Sequence, residues 1–412
     1  MLTDHSFKEP RYARRASRMQ ASEIRELLKL LDEPDITSFA GGIPDPALFP
    51  VDLIRTAYAE ALASDTDAHR LLQYSVSEGD PNLRGWIAGY MAARGVPCDI
   101  DNILITNGSQ QGLEFLGRML LNPSDTALVT APTYLGALQA FAACEPIYDE
   151  LSIHAANRTA TSYADAATAA GGEVKFAYVV PDFSNPTGET VSLAARLQIL
   201  KHAADLDIPV IEDNPYTALR LDGEALPFVQ ALDIAECGGI DASRVIHLGS
   251  FSKVFTPGLR IGWVCAAKPI IRRLTLVKQA SDLNASALNQ AVMCRLAEDR
   301  FDAQIELACD SYRVKRAAML SALSEHMPEG AEWTSPEGGL FVWVTLPDGY
   351  DTAALLPKIV AEARVAYVPG HAFFADGGGR TTMRLSYSLP TPAEIQSGIA
   401  RLGAALKHSR TD

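Results

Sequence analysis

Lys253 stands among hydroxyls in Ser250-Phe251-Ser252-Lys253, and a Pro257-Gly258 turn then brings Arg260 in front of an apolar run, Ile261 to Val264. A lysine amine attacks a carbonyl only as the free base, so it works where burial and neighbouring positive charge lower its pKa. Ser250, Ser252 and Arg260 add the hydrogen-bond donors and charge that a phosphate requires. The stretch suits a covalently held aldehyde cofactor with a phosphate tail. The competing reading is a solvated loop lysine, since short motifs also occur without function.

Further polar groups fall at the ends of apolar runs. Gly108-Ser109-Gln110-Gln111 follows Ile103-Leu104-Ile105 and opens a segment with Leu113, Leu116, Met119 and Leu120 on one helical face. Free N–H groups and the helix dipole make such a junction an anion site, and Ser109 reads equally as a plain N-cap. Tyr134, after Pro132-Thr133, either stacks on a flat ring or simply packs. Ser184-Asn185-Pro186-Thr187-Gly188 is turn chemistry with or without a ligand. Asp213 closes the run Ile211-Glu212-Asp213, three residues before Tyr216. A carboxylate in a partly apolar place would keep a neighbouring pyridine nitrogen protonated, and Asn185 and Tyr216 are able to hydrogen-bond a phenolic oxygen on the same ring.

Positioning such groups takes a rigid frame. Ala127 to Val129, Phe176 to Val180, Pro209 to Ile211 and Val245 to Leu248 read as buried strands alternating with amphipathic helices, which predicts an α/β fold with a largely parallel sheet. After Pro269 the pattern is mostly helical as far as His326. Strands at Leu340 to Val344 and Met383 to Ser386 then mix with helices near Thr352 to Arg364 and Pro392 to Lys407. The expected division is a large domain over residues 51–300 and a smaller α+β domain built from residues 301–412 together with residues 1–50.

Composition narrows the function. The chain has 412 residues, 48% hydrophobic and 21% charged, as expected of a globular protein with sizeable cores. A formal charge of -14 argues against a nucleic-acid partner. A basic N-terminal run (Lys8, Arg11, Arg14, Arg15, Arg18) reads as a solvated arm. Six cysteines scattered without a Cys-x-x-Cys pair or nearby histidines argue for a reducing compartment and against a metal site, and no apolar run approaches membrane-spanning length. The expectation is a cytoplasmic protein.

Taken in order, these residues resemble the fold-type-I, aspartate-aminotransferase-like class I/II aminotransferases that use pyridoxal 5'-phosphate. The resemblance runs through Gly41-Gly42, Gln73-Tyr74-Ser75, Gly108-Ser109-Gln110, Tyr134, Asn185 to Gly188, Asp213, Tyr216, Ser250 to Lys253, Arg260 and Arg384-Leu385-Ser386. It implies that Lys253 carries the cofactor, that Asp213 pairs with the pyridine nitrogen, that Asn185 and Tyr216 bind its phenolic oxygen, and that Tyr134 stacks on the ring. Ser109, Gln110, Ser250, Ser252 and Arg260 would hold the phosphate. Tyr74 would reach the phosphate of a neighbouring subunit, which implies a homodimer with shared active sites. Arg384 would clamp the substrate carboxylate, assisted by Asn185 and the backbone near Gly42; outside the family pattern it reads as a surface residue.

A closer resemblance is to the subgroup of 2-aminoadipate and kynurenine/aminoadipate aminotransferases, through Gln20 to Leu30, Ser38-Phe39-Ala40-Gly41-Gly42, Val368-Pro369-Gly370 and Phe373-Phe374. There, Arg25 would meet a distal carboxylate from an N-terminal helix; as a solvent-facing charge it would do nothing of the kind. Ser184 and Asn214 depart from the subgroup pattern. The expected activity is transamination from an L-amino acid (2-aminoadipate, branched-chain or aromatic) to a 2-oxo acid, 2-oxoglutarate first among them, with ping-pong kinetics. A pyridoxal-phosphate β-lyase is the alternative on the same fold. A transcription regulator with an aminotransferase-like body is disfavoured, because the resemblance already begins near Gln20.

Overall fold

The computed structural model describes residues 12–13, 15–16, 35–154 and 156–409. It opens with a two-residue strand, β1 (Thr37–Ser38), whose partner comes from near the other end of the chain. The main sheet follows: β2 (Ile103–Thr106), β3 (Thr126–Val129), β4 (Ile147–Glu150), β5 (Val174–Val179), β6 (Val210–Asp213), β7 (Val245–Ser250) and β8 (Gly262–Cys265). Their spatial order is β2-β8-β7-β6-β5-β3-β4. Strands β3 to β7 are parallel, and β8 runs antiparallel to both β7 and β2, so the sheet is mixed and mostly parallel.

The inner strands are largely apolar on both faces because helices cover both. Phe176, Tyr178, Ile211, Ile246 and Leu248 pack toward Leu113, Leu116 and Phe141, whereas Ala177, Val179, Val210 and Val245 pack toward Ile199, Leu200 and Ala203. The alternation of residue numbers between these two sets is the two-residue period of a strand. Helices start where the sequence offers caps. Ser192 Oγ accepts from Ala195 N ahead of the helix Leu193–Leu206, and Thr391 and Glu394 form a reciprocal capping box ahead of Pro392–Lys407.

Beyond β8 come the helices Lys268–Gln279 and Ala287–His326, the second of which continues unbroken through residue 300. Four more strands, β9 (Glu332–Trp333), β10 (Phe341–Thr345), β12 (Val368–Pro369) and β13 (Thr382–Ser386), make an antiparallel sheet in the order β12-β13-β10-β9. Between them β11 (Val365–Ala366) pairs in parallel with β1 and fixes the segment around Thr37–Ser38 to this part of the molecule. One boundary differs from expectation where it matters. Gly249 and Ser250 are the last residues of β7 rather than a loop, because their backbones pair with Trp263 and Gly262 of β8. Among the described residues no helix is long and apolar enough to cross a membrane.

Candidate active site

One cavity of about 140 Å³ gathers Gly108, Ser109, Gln110, Tyr134, Asn185, Asp213, Tyr216, Ser250, Ser252, Lys253 and Arg260, with Val180, Pro215 and Pro257 beside them. It lies at the carboxyl ends of β2, β5, β6 and β7, where a doubly wound sheet leaves its crevice.

Thr106, Gly262 and Ser250 form a row across the sheet, so the chain leaving β2 meets the residues flanking Lys253. Gly108 has φ +80° and caps the helix Ser109–Leu120; a Cβ there would stand 2.5 Å from Arg260 Nη2. The positive φ calls for glycine, and its bare Cα leaves the guanidinium its place. Across the row a Cβ on Gly262 would come within 2.7 Å of Ser109 N, so the two backbones touch. Arg260 holds its guanidinium over this junction by donating to Asn107 O (3.1 Å) and Pro257 O (3.2 Å). Ser250 Oγ donates to Ser252 Oγ at 2.9 Å, and Gln110 bridges Gly136 O (2.6 Å) and the Tyr134 hydroxyl (3.3 Å). A helix N-terminus, two hydroxyls and an arginine converge on one corner, which is an oxyanion site.

Lys253 is not a solvated loop residue. Its Nζ donates to Gly42 O at 2.8 Å and lies 5.7 Å from the centroid of the Tyr216 ring. Burial, then the charges of Arg384 and Arg260, lower its pKa to about 8, so an appreciable fraction is free base near neutrality. Asp213 is 2% exposed; burial raises its pKa to about 6, against a hydrogen bond from Tyr178. Its Oδ2 accepts from Tyr178 Oη at 2.8 Å, while Oδ1 is buried without a partner. Tyr216 hydrogen-bonds Asn185, and burial raises the pKa of its phenol.

Arg384, on β13, is 1% exposed and so no surface residue. Its Nη1 donates to Asn185 Oδ1 (2.8 Å) and Nη2 to Ala40 O (2.7 Å), with the guanidinium carbon 4.3 Å from the Phe341 ring centroid and 5.1 Å from that of Phe373. Burial lowers its pKa to about 10, which leaves it cationic at neutral pH. Asn185 sits on a turn closed by Gly188 N to Ser184 O (2.6 Å). Behind it, the fully buried Arg196 donates to Asp182 Oδ1 (2.5 Å) and to Val191 O (3.0 Å) and Pro227 O (2.8 Å).

Arg384 and Gly42 do not line the cavity themselves and meet it through Asn185 and Lys253. Two other expected residues are elsewhere. Tyr74 is 80% exposed and away from this cavity, and Arg25, with the whole stretch Gln20 to Leu30, lies outside the described residues. Ser184 and Asn214, which depart from the subgroup pattern, are not among the lining side chains; Asn214 Nδ2 turns to Asp182 Oδ2 at 3.4 Å. Sequence reasoning missed Tyr178 and the two rings on Arg384. The only available signal for Tyr178 was a hydroxyl in an otherwise apolar buried run.

The donor set fits pyridoxal 5'-phosphate: a depressed-pKa amine, an oxyanion corner, and a buried carboxylate with one unpartnered oxygen for a protonated ring nitrogen. The chain matches the model of aminotransferase class I and II over residues 40–402. It is 40% identical to aromatic-amino-acid aminotransferase 1 of Thermococcus litoralis, over 97% of this chain and 94% of that one. It is 38% identical to 2-aminoadipate transaminase of Thermus thermophilus, over 96% of each. Among solved structures, the kynurenine aminotransferase of Pyrococcus horikoshii superposes with a TM-score of 0.88 at 39% identity, covering 97% of this chain and 98% of its own. Fold, pocket and relatives agree along nearly the whole length, and the chain belongs to the class I and II aminotransferases, with pyridoxal 5'-phosphate as its cofactor.

Proposed function

We propose that the protein transfers the amino group of an aromatic L-amino acid or 2-aminoadipate to a 2-oxo acid, 2-oxoglutarate in the first place. The substrate classes are those in the names of its relatives. The observation that carries the reading is the convergence of Lys253, Asp213 and Asn185 on one pocket, to which Arg384 is joined by its hydrogen bond to Asn185 and Gly42 by the one it accepts from Lys253.

When bound, pyridoxal 5'-phosphate supplies an aldehyde carbon and an electron-withdrawing ring. Ser109, Gln110, Ser250, Ser252 and Arg260 hold its phosphate, Tyr134 stacks on its ring, and Asn185 and Tyr216 bind its phenolic oxygen. Asp213 Oδ1 keeps the ring nitrogen protonated. Arg384 orients the substrate by its carboxylate, exchanging part of its contact with Asn185 Oδ1 and Ala40 O for a bidentate pair. Lys253 Nζ, largely free base above pH 8, takes the substrate's Cα proton. One site serves both substrates in turn, so the first product leaves before the acceptor enters and the kinetics are ping-pong.

The working unit is a homodimer in which Tyr74 reaches the neighbouring subunit's phosphate. Leu72, Tyr74 and Val76 are 67%, 80% and 54% exposed, an apolar strip that calls for a cover. The cytoplasm is the proposed location, since all six cysteines are free thiols. Arg25 is assigned to the distal carboxylate of 2-aminoadipate on family resemblance alone.

Two measurements test this. The protein loaded with pyridoxal 5'-phosphate should absorb near the visible edge, and Lys253→Ala should abolish both that band and turnover. A panel of amino donors with 2-oxoglutarate should rank aromatic amino acids and 2-aminoadipate first. Full turnover by Lys253→Ala would end the proposal, and a cysteine-type donor yielding ammonia and pyruvate would replace it with the lyase reading.

A further inference from the structure

Tyr178 is the one polar side chain in the buried run Phe176-Ala177-Tyr178-Val179, and its hydroxyl is spent on Asp213. Strands β5 and β6 pair in parallel with Tyr178 opposite Ile211, which places Tyr178, Ile211 and Asp213 on one face of the sheet. From Ile211 to Asp213 is two residues, about 6.6 Å along a strand and close to the reach of a tyrosine. The phenol therefore lies alongside β6 and ends at the carboxylate, with Phe141 edge-on to its ring at 6.0 Å. A phenylalanine would fill the same space. The hydroxyl is an addition that burial would penalise without its partner.

We propose that Tyr178 is a positioning residue for the cofactor's ring nitrogen: by donating to Asp213 Oδ2 it fixes the carboxylate plane, turns Oδ1 toward the pocket, and keeps the group ionised. This rests on the assignment of Asp213 to the ring nitrogen. Among the described residues no other side chain hydrogen-bonds Asp213, and His247 adds only a smaller charge effect in the same direction. Tyr134, Tyr216 and the cations Lys253, Arg384 and Arg260 belong to the pocket side, and behind the strand the neighbouring Glu212 is already engaged by His247 Nδ1 (3.2 Å) and by Val229 N and Gln230 N. Burial raises the proton affinity of Asp213 and the tyrosine hydrogen bond opposes it. Without Tyr178 the carboxyl would be both freer to rotate and closer to neutral at working pH.

The test separates this role from simple packing and from the cofactor assignment. In cofactor-free protein carrying carboxyl-labelled aspartate, the Asp213 resonance is titrated in wild type and Tyr178→Phe. The expected result is at least tenfold tighter proton binding by Asp213 in the variant, the scale of one hydrogen bond to a charged group. Affinity for pyridoxal 5'-phosphate, measured by direct titration above pH 7, should fall about tenfold and recover in part as pH rises. An unchanged Asp213 titration would overturn the proposal whatever the cofactor does. A shifted titration with unchanged cofactor affinity would leave Tyr178 acting on Asp213 but overturn its role at the ring, and with it the assignment of Asp213. Should Tyr178→Phe fail to fold, 3-fluorotyrosine at position 178 supplies a stronger donor of nearly the same size. The Asp213 proton must then bind more weakly than in wild type, and a change of the opposite sign refutes the idea.

Discussion

Replacing Asp213 with asparagine should stabilise the cofactor-free protein while disabling the holoenzyme. The carboxyl is buried, and its pKa is raised from the ordinary 3.8 to about 6. Between those two values the folded state binds the proton more tightly than the unfolded chain does, so stability falls as pH rises through that window and then stays level. The accumulated loss at neutral pH is about 3 kcal/mol, and about half of it is already present at pH 5. Asparagine is nearly isosteric, cannot ionise, and keeps a carbonyl oxygen for Tyr178 Oη to donate to. Urea unfolding of the cofactor-free protein at pH 7.5 should therefore show the variant more stable by up to about 3 kcal/mol, with a gap that narrows toward pH 4. Transamination by the loaded variant should meanwhile fall by more than tenfold, over ~1.4 kcal/mol of barrier. A variant no more stable than wild type at pH 7.5, or a gap that widens on acidification, would refute the electrostatic account of this site.

Three further outcomes follow from the same geometry. Recombination of the cofactor-free protein with pyridoxal 5'-phosphate, followed by absorbance in a stopped-flow instrument, should speed up with rising pH and level off above about 8, because protonation of Lys253 below that value removes the nucleophile. Arg384→Lys loses the planar fork over Phe341 and should lower kcat/KM for amino acids by about ten- to a hundredfold, or roughly 1.5–3 kcal/mol, while cofactor affinity holds. Arg25→Gln should impair turnover of 2-aminoadipate by about tenfold and leave leucine or phenylalanine nearly unchanged in steady-state kinetics, the scale of one charge-assisted hydrogen bond; equal loss for both would make Arg25 structural.

What could be read from the chain was what neighbouring residues decide together. Gly108 to Gln110, Asn185 to Gly188 and Ser250 to Arg260 are turns and strand ends, where backbone requirements and polar chemistry are written in a few consecutive residues. The main strands are legible for the same reason, since a run such as Ile103 to Ile105 is apolar throughout and enclosed on both faces. Long-range pairing leaves no such mark. Two residues are too few for β1 or β11 to carry a period, and β4 alternates too little, with both its ends exposed. Tyr178 looks like core until Asp213 is known to lie one strand over. Arg384 shows the opposite limit: its ordinary local setting suggests solvent, and only a fold that brings Phe341 and Phe373 around it gives it a buried seat.

The pairing of β1 with β11 also sets a clock on synthesis. Phe39 N donates to Ala366 O, and Ser386 N donates to Phe39 O, each at 2.8 Å, so the segment leading to Gly42 is held by residues made about 330 positions later. At translation speeds of about 5–20 residues per second the early segment waits roughly 16–65 s for its partner. The ribosome has by then released β2 through β8, and with them Ser109, Asp213 and Lys253, long before Arg384 emerges. A nascent or truncated chain can thus own the lysine and the oxyanion corner while lacking the arginine and the strands that hold the segment leading to Gly42. During that interval Phe39, fully buried in the finished protein, is left uncovered. This early stretch is where a chaperone would find its hold, and where an arrested chain would first stick to another.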